Sequence, residues 1–192
     1  VLLGGDTSRS PGPAVIDVAV VGAAGAPVTR AAATPGQQVW VTGRLGGAAA
    51  AVLALQSALE PAPGARRRFE RPAPRWREAR WLAARGVLGA LIDLSDGLAG
   101  DARHVAEASR AGLRLRVDAI PLDEALEGWS DTRTARRIAA GGGEDYELLF
   151  TAPTGRVDRV RDAFEREFGL ELTRVGEVVE GSGVAWIDRA GE

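Results

Sequence analysis

The run Val87 to Leu94, apolar almost throughout, restricts the fold of this chain more than any other segment. A run of this kind is typical of a β-strand that is buried on both faces. It ends in Asp93-Leu94-Ser95-Asp96-Gly97, after which apolar residues recur at helical spacing. We therefore expect a strand of a covered sheet, a short acidic turn and a helix, in that order.

Further strands and helices are interleaved along the 192 residues. β-Branched or alternating segments predict strands at 14–21, 38–42, 113–117, 146–150, 172–175 and 184–187. Helices are predicted from Gly47 through Leu59, over 76–85 and around an apolar stripe at 157–168. Four prolines between 60 and 75 predict a loop, with its arginine run at 66–68 in solvent. Because the connections are uneven, the pattern favours an α+β fold with a mixed-sheet sandwich over a doubly wound parallel sheet.

Composition removes several classes of function. The chain has no Cys, which excludes disulfides and a cysteine nucleophile, and no Lys, which excludes a Walker A phosphate loop and Schiff-base chemistry. His104 is the single histidine, and we expect an ordinary helical residue rather than a member of a Ser-His-Asp triad. The net charge of −2 and the absence of a long apolar run indicate neither a nucleic-acid nor a membrane partner, so we expect a cytoplasmic protein.

Two acidic clusters flanked by glycine are candidates for a metal and phosphate site. In Gly4-Gly5-Asp6-Thr7 the glycines would let a ligand approach the backbone and Asp6 could bind Mg²⁺; a plain polar turn is the alternative. Asp93 and Ser95 lie two apart at the end of a strand and therefore point the same way. The alternative for Asp96 is a helix N-cap, which leaves Asp93 unexplained because a buried, unpaired carboxylate is costly.

The third cluster follows the glycines 141–143 and contains Glu144, Asp145 and Glu147 at the start of a predicted strand. Acidic side chains crowded in this way suggest recognition of a cation, either a metal ion or a positively charged organic group. The alternative is that Glu144 and Asp145 are simply solvated at a sheet edge.

Taken in order along the chain, these motifs resemble those of the thiamine-monophosphate kinases, in the superfamily of aminoimidazole ribonucleotide synthetase and selenophosphate synthetase. The matching segments extend over nearly the whole chain. They are Gly-Gly-Asp-Thr at 4–7, Arg30, Thr34-Pro35-Gly36, residues 41–46, Pro72-Ala73-Pro74-Arg75, and residues 92–98 and 142–150. The string Gly-Gly-Glu-Asp-Tyr-Glu-Leu-Leu in the last segment is the most specific of them.

The resemblance implies ATP-dependent phosphorylation of thiamine monophosphate to thiamine diphosphate, in thiamine diphosphate biosynthesis, by direct phosphoryl transfer assisted by Mg²⁺. It implies no catalytic residue beyond the ligands of the metal and the phosphates. The implied ATP-binding residues are Gly5, Asp6, Arg30 and Ser95; the implied metal ligands are Asp6, Asp93 and Asp96; and the residue implied to bind thiamine monophosphate is Glu144.

The resemblance also implies a domain organisation. Residues 27–192 would form a domain like the C-terminal domain of aminoimidazole ribonucleotide synthetase, and residues 1–26 would be the last strands of an N-terminal ATP-binding and dimerisation domain. We expect truncation at both ends, a homodimer in the full-length protein, and little or no activity of this chain alone. The alternatives are another ATP-using enzyme of the superfamily, or a non-catalytic binding module that keeps the fold.

Overall fold

A mixed six-stranded sheet organises the chain in the computed structural model, which describes residues 4–5, 11–23, 25–127 and 131–188. The strands lie in the order β2-β4-β1-β5-β3-β6, and β3 pairs with β6 in parallel while the other described pairs are antiparallel. The strands are β1 Gln38–Thr42, β2 Leu91–Asp93, β3 Gly112–Arg116, β4 Leu148–Ala152, β5 Leu172–Val179 and β6 Gly183–Ile187. The helices are α1 Gly47–Gln56, α2 Pro63–Glu70, α3 Trp76–Ala84, α4 Leu98–Ser109, α5 Thr132–Gly141 and α6 Arg161–Phe168.

Both faces of the sheet are covered, because successive side chains of a strand point to opposite faces. Val39, Val41 and Leu149 pack in one core with side chains of α1, α4 and α5. Trp40 and Phe150, from the same two strands, pack in a second core with side chains of α3 and α6. Each large apolar side chain buried in this way contributes about 1.5–3 kcal/mol. The predicted α+β fold with a mixed-sheet sandwich is confirmed.

The strand predicted over 87–94 is shorter than expected. It is confined to β2, Leu91–Asp93, at the edge of the sheet, and Asp93 is exposed. The regular pairing with β4 ends before Leu91, because the N–H of Ala90 donates to the side-chain hydroxyl of Thr151 at 2.8 Å, while the carbonyl oxygen of Thr151 accepts the N–H of Gly89 at 2.6 Å instead. The predicted strand is therefore present but shorter and only partly buried, with Ile92 packed against one core and Leu91 against the other. The expectation that Asp93 is buried was wrong, so no burial cost applies to it.

Two helices lie where the sequence analysis did not expect them. α2 begins at Pro63 inside the segment predicted as a loop, because a proline at the first helical position forms no unsatisfied N–H. Its arginines are only partly free in solvent, since Arg68 Nε lies 2.7 Å from Asp123 Oδ2. α5 is capped by Asp131, whose carboxylate accepts the N–H groups of Arg133 and Thr134.

The segment 14–21, predicted as a strand, pairs with no other strand in the described part of the chain. Val15, Ile16 and Val20 are 85–87 % exposed. A strand is defined by hydrogen bonds to a neighbour, and no described residue supplies them here, so the prediction was wrong for these residues. Among the described helices, none has the length and apolar character that a membrane span requires.

Candidate functional site

The second and third acidic clusters, far apart in sequence, meet beside the edge strand β2. The N–H of Leu94 donates to the carbonyl oxygen of Glu147 at 2.8 Å. The N–H groups of Tyr146 and Glu144 donate to the carbonyl oxygens of Leu94 and Ser95, both at 2.9 Å. These bonds continue the β2–β4 pairing past the end of β2. The predicted metal site and the predicted cation-recognition segment are therefore one site.

Glycine is required where these two segments touch. A Cβ atom at position 143 would collide with the carbonyl oxygen of Ser95. Gly97 has a φ of 91°, and a Cβ there would lie 2.6 Å from the carbonyl oxygen of Gly142. The glycines of both motifs thus permit a backbone approach that residues with side chains would prevent.

Three carboxylates of the site face solvent: those of Asp93, Asp96 and Glu144. The hydroxyl of Tyr146 donates to Glu144 Oε2 at 3.1 Å. The pKa of Tyr146 is raised, first by this hydrogen bond, then by the charge of Glu144 and by burial, and further by the charges of Asp93 and Asp96. The Tyr146 hydroxyl therefore experiences all three carboxylates, which form one negatively charged surface.

The other two acidic residues of the third cluster have structural roles. Asp145 accepts the backbone N–H groups of Gly46 at 2.7 Å and Ala48 at 3.4 Å, and so caps α1. Burial raises its pKa to about 6, against the opposing effect of those two hydrogen bonds. Glu147 is fully buried and binds Arg75. The expectation that all three carboxylates recognise a cation was wrong, and Glu144 is the one that is exposed.

Two residues of the third cluster have unusual backbone conformations. Glu144 has a φ of 69° and Tyr146 a φ of 50°, both in the left-handed region that side chains other than glycine rarely adopt. Each costs about 1–3 kcal/mol, a strain found mainly at functional sites. Asp145 lies between these two residues and is directed towards α1. Glu144 and Tyr146 share a hydrogen bond at the acidic surface, the surface formed by the exposed carboxylates of Asp93, Asp96 and Glu144.

Two residues of α4 belong to the site although the sequence analysis did not place them there. Asp101 is 1 % exposed, and its Oδ2 accepts the N–H of Asp96 at 3.0 Å. Its pKa is raised, mainly by burial, with contributions from the charges of Asp96 and Asp93. The Nε2 atom of His104 lies 3.7 Å from Asp96 Oδ2. The usable signal was the three-residue spacing of Asp101 and His104, which places both on one helix face.

The helix-cap alternative for Asp96 is excluded. The N-cap of α4 is Gly97, so Asp96 does not occupy the N-cap position. The N-terminus of α4 adds partial positive charge next to the carboxylates, where a phosphate group would be stabilised. The exposed side chains of Asp93, Asp96 and Glu144 provide only oxygen, the donor that Mg²⁺ prefers, so they fit this ion.

The remaining predicted ligands lie elsewhere or outside the described residues. Gly5 is exposed and has no neighbouring atoms within 4 Å of a Cβ built on it, and Asp6 lies outside the described residues. The carbonyl oxygen of Arg30 accepts the hydroxyl of Ser109 at 3.0 Å. Ser109 ends α4, about 18 Å from its beginning at 1.5 Å per residue, so the described contacts do not bring the backbone of Arg30 to the carboxylates.

A cavity of about 700 Å³ lies apart from these carboxylates. It is bordered by α2 and the proline-rich segment that follows, and by Asp145, whereas Asp93, Ser95, Asp96 and Glu144 are not among its lining residues. Its guanidinium groups are those of Arg67, Arg68, Arg71 and Arg75.

Comparison with known proteins agrees with the geometry. The family model described as AIR synthase related protein, C-terminal domain, matches residues 34–188. A thiamine-monophosphate kinase of Salmonella typhimurium is 37% identical over 183 residues, which is 92% of this chain and 55% of that protein. The chain thus spans about half the length of the curated relatives that it matches. The resemblance to thiamine-monophosphate kinases is confirmed.

Two solved structures also resemble this chain in fold and sequence. A thiamine-monophosphate kinase from Stenotrophomonas maltophilia K279a superimposes with a TM-score of 0.76 at 33% identity, over 86% of this chain and 53% of that one. A complex of AaThiL with AMPPCP and TMP superimposes with a TM-score of 0.71 at 31% identity, over 86% of this chain and 51% of that one.

Proposed function

Because the chain belongs to the AIR synthase related proteins through their C-terminal domain, we propose that a protein containing it transfers a phosphoryl group from ATP to thiamine monophosphate, forming thiamine diphosphate. The observation that carries this proposal is the meeting of the Asp93–Gly97 turn with Glu144 beside the N-terminus of α4. Relatives named thiamine-monophosphate kinase, one of them solved with AMPPCP and TMP, support it.

In the proposed reaction an oxygen of the thiamine monophosphate phosphate group attacks the terminal phosphorus of ATP. The new P–O bond forms as the bond between that phosphorus and an ADP oxygen breaks. Such a reaction depends mainly on positioning and on neutralising charge. Mg²⁺, when bound, would supply that neutralisation. No general base is needed, because the attacking phosphate oxygen is already ionised.

Each exposed side chain has a role in this proposal. Asp93 and Asp96 hold Mg²⁺, and the hydroxyl of Ser95 donates a hydrogen bond to a nucleotide phosphate. Glu144 faces the positively charged ring of thiamine monophosphate, and its bond to the Tyr146 hydroxyl keeps the carboxylate in one orientation.

Other elements of the proposal depend on residues outside this surface. Gly5 and Arg30 would bind ATP, and Asp6 would bind ATP and Mg²⁺. The domain boundary between residues 26 and 27, a homodimer of the full-length protein, its cytoplasmic location and the inactivity of this chain alone remain predictions. They share one basis, the resemblance to thiamine-monophosphate kinases.

The test is a turnover assay of a full-length protein containing this sequence, with thiamine monophosphate, ATP and Mg²⁺. We expect thiamine diphosphate and ADP in equal amounts, and loss of product when EDTA removes the metal. Asp93→Asn and Asp96→Asn should each lower kcat more than 100-fold, since they remove the ligand charge. The matched control is Glu107→Gln, an exposed acid of α4, which should retain activity within twofold.

Three outcomes would contradict the proposal. Turnover of a different acceptor in place of thiamine monophosphate would favour another ATP-using enzyme of the superfamily. Binding of ATP and thiamine monophosphate without turnover would favour a non-catalytic module. Near-normal turnover in either aspartate variant would show that its assignment as a metal ligand is wrong.

A further inference from the structure

We propose that the cavity bordered by α2 and residues 71–75 binds the phosphoryl group of a small molecule through the guanidinium groups of Arg67 and Arg71. The volume of the cavity, about 700 Å³, is typical of pockets that bind small molecules. The carboxylates of the acidic surface are not among its lining residues. The cavity would therefore be a second site, with a ligand of its own.

Two of the four arginines that line the cavity are already paired with buried carboxylates. Arg68 Nε lies 2.7 Å from Asp123 Oδ2, and Arg75 Nη2 lies 2.6 Å from Glu147 Oε1. Asp123 is 4% exposed and Glu147 is fully buried, so both pairs are anchored in the body of the domain. These two arginines therefore form fixed walls of the cavity, with most of their charge compensated.

Arg67 and Arg71 are the two lining arginines without such a partner. Both are exposed, and neither forms an ion pair with a carboxylate in the described part of the chain. The N–H of Arg71 donates to the carbonyl oxygen of Arg67 at 2.9 Å, so the two residues occupy neighbouring positions one turn apart at the end of α2. Like charges at this spacing repel each other. An anion bound between them would relieve that repulsion.

The other two acids that line the cavity do not balance this pair. Asp145 accepts the N–H groups of Gly46 and Ala48 at the start of α1. Glu124 is exposed and forms no ion pair with a guanidinium group of the described residues. Two unpaired guanidinium groups thus outnumber one unpaired carboxylate, so an anion fits the lining better than a cation.

The chemistry of the two arginines favours a phosphoryl group among anions. A guanidinium group is always charged, and its planar set of N–H donors matches the oxygens of a phosphate. A phosphate monoester carries about −1.5 to −2 charge near neutral pH and three acceptor oxygens, enough to bind both guanidinium groups at once. A nucleic acid is a poorer candidate, because the net charge of the chain is −2.

The test uses a full-length protein containing this sequence, in EDTA, so that no metal ion can bring phosphate to the acidic surface. Inorganic phosphate and methyl phosphate are the probes, and the protein should broaden the ³¹P signal of each. Arg67→Gln and Arg71→Gln should each weaken binding at least tenfold, because each removes charge-assisted hydrogen bonds. Binding of both probes would indicate a phosphorylated organic ligand, and binding of inorganic phosphate alone would indicate the free ion.

Arg66→Gln is the matched control, since it removes the same charge from the same helix. The Arg66 guanidinium binds Glu60 and Glu70 and does not line the cavity, so phosphate binding should change less than twofold. Three results would overturn the proposal: no binding of either probe, equal losses in Arg66→Gln and Arg71→Gln, or tighter binding of a glutamate-rich peptide than of phosphate. The last result would indicate an acidic protein segment as the occupant.

This inference goes beyond the proposed function, and the two can fail separately. The experiment measures phosphate binding without ATP, thiamine monophosphate or Mg²⁺. A full-length protein without kinase activity would leave the phosphate result standing. A protein that binds neither probe in EDTA would leave the kinase assay with Mg²⁺ unaffected.

Discussion

Replacing Arg75 by Ala should destabilise the chain strongly, because it would leave the charge of Glu147 buried without its cationic partner. Glu147 is fully buried, and Arg75 Nη2 and Nε donate to its two oxygens at 2.6 and 2.9 Å. The other hydrogen bond to this carboxylate comes from the hydroxyl of Thr42 at 2.6 Å. Arg68 Nη1, at 4.0 Å, is the nearest remaining guanidinium.

The magnitude follows from these contacts. Removing one partner of a buried ion pair costs about 3–5 kcal/mol. Because Thr42 and Arg68 would still stabilise the carboxylate, we expect the lower end of this range, about 3 kcal/mol. At about 2–4 °C per kcal/mol for a domain of this size, the melting temperature should fall by roughly 6–12 °C.

Urea unfolding of a double-mutant cycle measures the effect. Arg75→Ala, Glu147→Gln and the double variant should show an interaction energy of about 1–3 kcal/mol, because the second change removes the uncompensated charge. The control is Arg114→Ala, which breaks an ion pair with Glu177 whose side chains are 46% and 41% exposed, and which should cost less than about 1 kcal/mol. A loss no larger in Arg75→Ala than in Arg114→Ala would refute the reasoning.

Two further predictions concern the third cluster. The pKa of Asp145 is raised from 3.8 to about 6, so between these values the folded chain binds more protons than the unfolded chain, and stability should fall as the pH rises from about 4 to above 6. Asp145→Asn should flatten this dependence by up to about 3 kcal/mol in urea unfolding at a series of pH values. Gly143→Ala should cost about 1–3 kcal/mol, because its Cβ would displace Ser95, whereas Gly141→Ala, with nothing within 4 Å, should stay within about 0.5 kcal/mol. Thermal unfolding of the two alanine variants side by side would contradict this if their losses were equal.

Elements with a regular local pattern could be predicted from the sequence. β1 and α4 lie where a β-branched segment and helical spacing predict them, because every residue of β1 is buried and one apolar face of α4 packs in the core. α2 was missed because proline was taken as a break. A proline breaks a helix at an interior position, because it removes an intrahelical hydrogen bond. Pro63 is the first residue of α2, where a backbone N–H would have no intrahelical acceptor.

The site was only partly predictable, since its residues are ordered by contacts between distant segments. The sequence identified Asp93, Asp96 and Glu144 as candidates, but no local pattern shows that Asp145 caps α1 or that Glu147 binds Arg75. Alternation along a strand predicts only that the side chain of Asp145 lies on the opposite face from those of Glu144 and Tyr146. It cannot anticipate positive φ values at Glu144 and Tyr146, which change the direction of the chain within the motif.

Those two strained residues explain why the acidic surface has a defined shape. Their backbone conformations cost about 1–3 kcal/mol each, so the segment would relax unless other contacts opposed it. The Asp145 cap and the buried Glu147 hold the segment on one side, and the N–H groups of Glu144 and Tyr146 bind the turn after β2 on the other. Loss of the Asp145 and Glu147 contacts, or of the hydrogen bonds to the turn after β2, should let Glu144 move away from Asp93 and Asp96. In the proposed function, Asp145 and Glu147 would therefore act by positioning Glu144, since Glu147 is buried and Asp145 is directed towards α1.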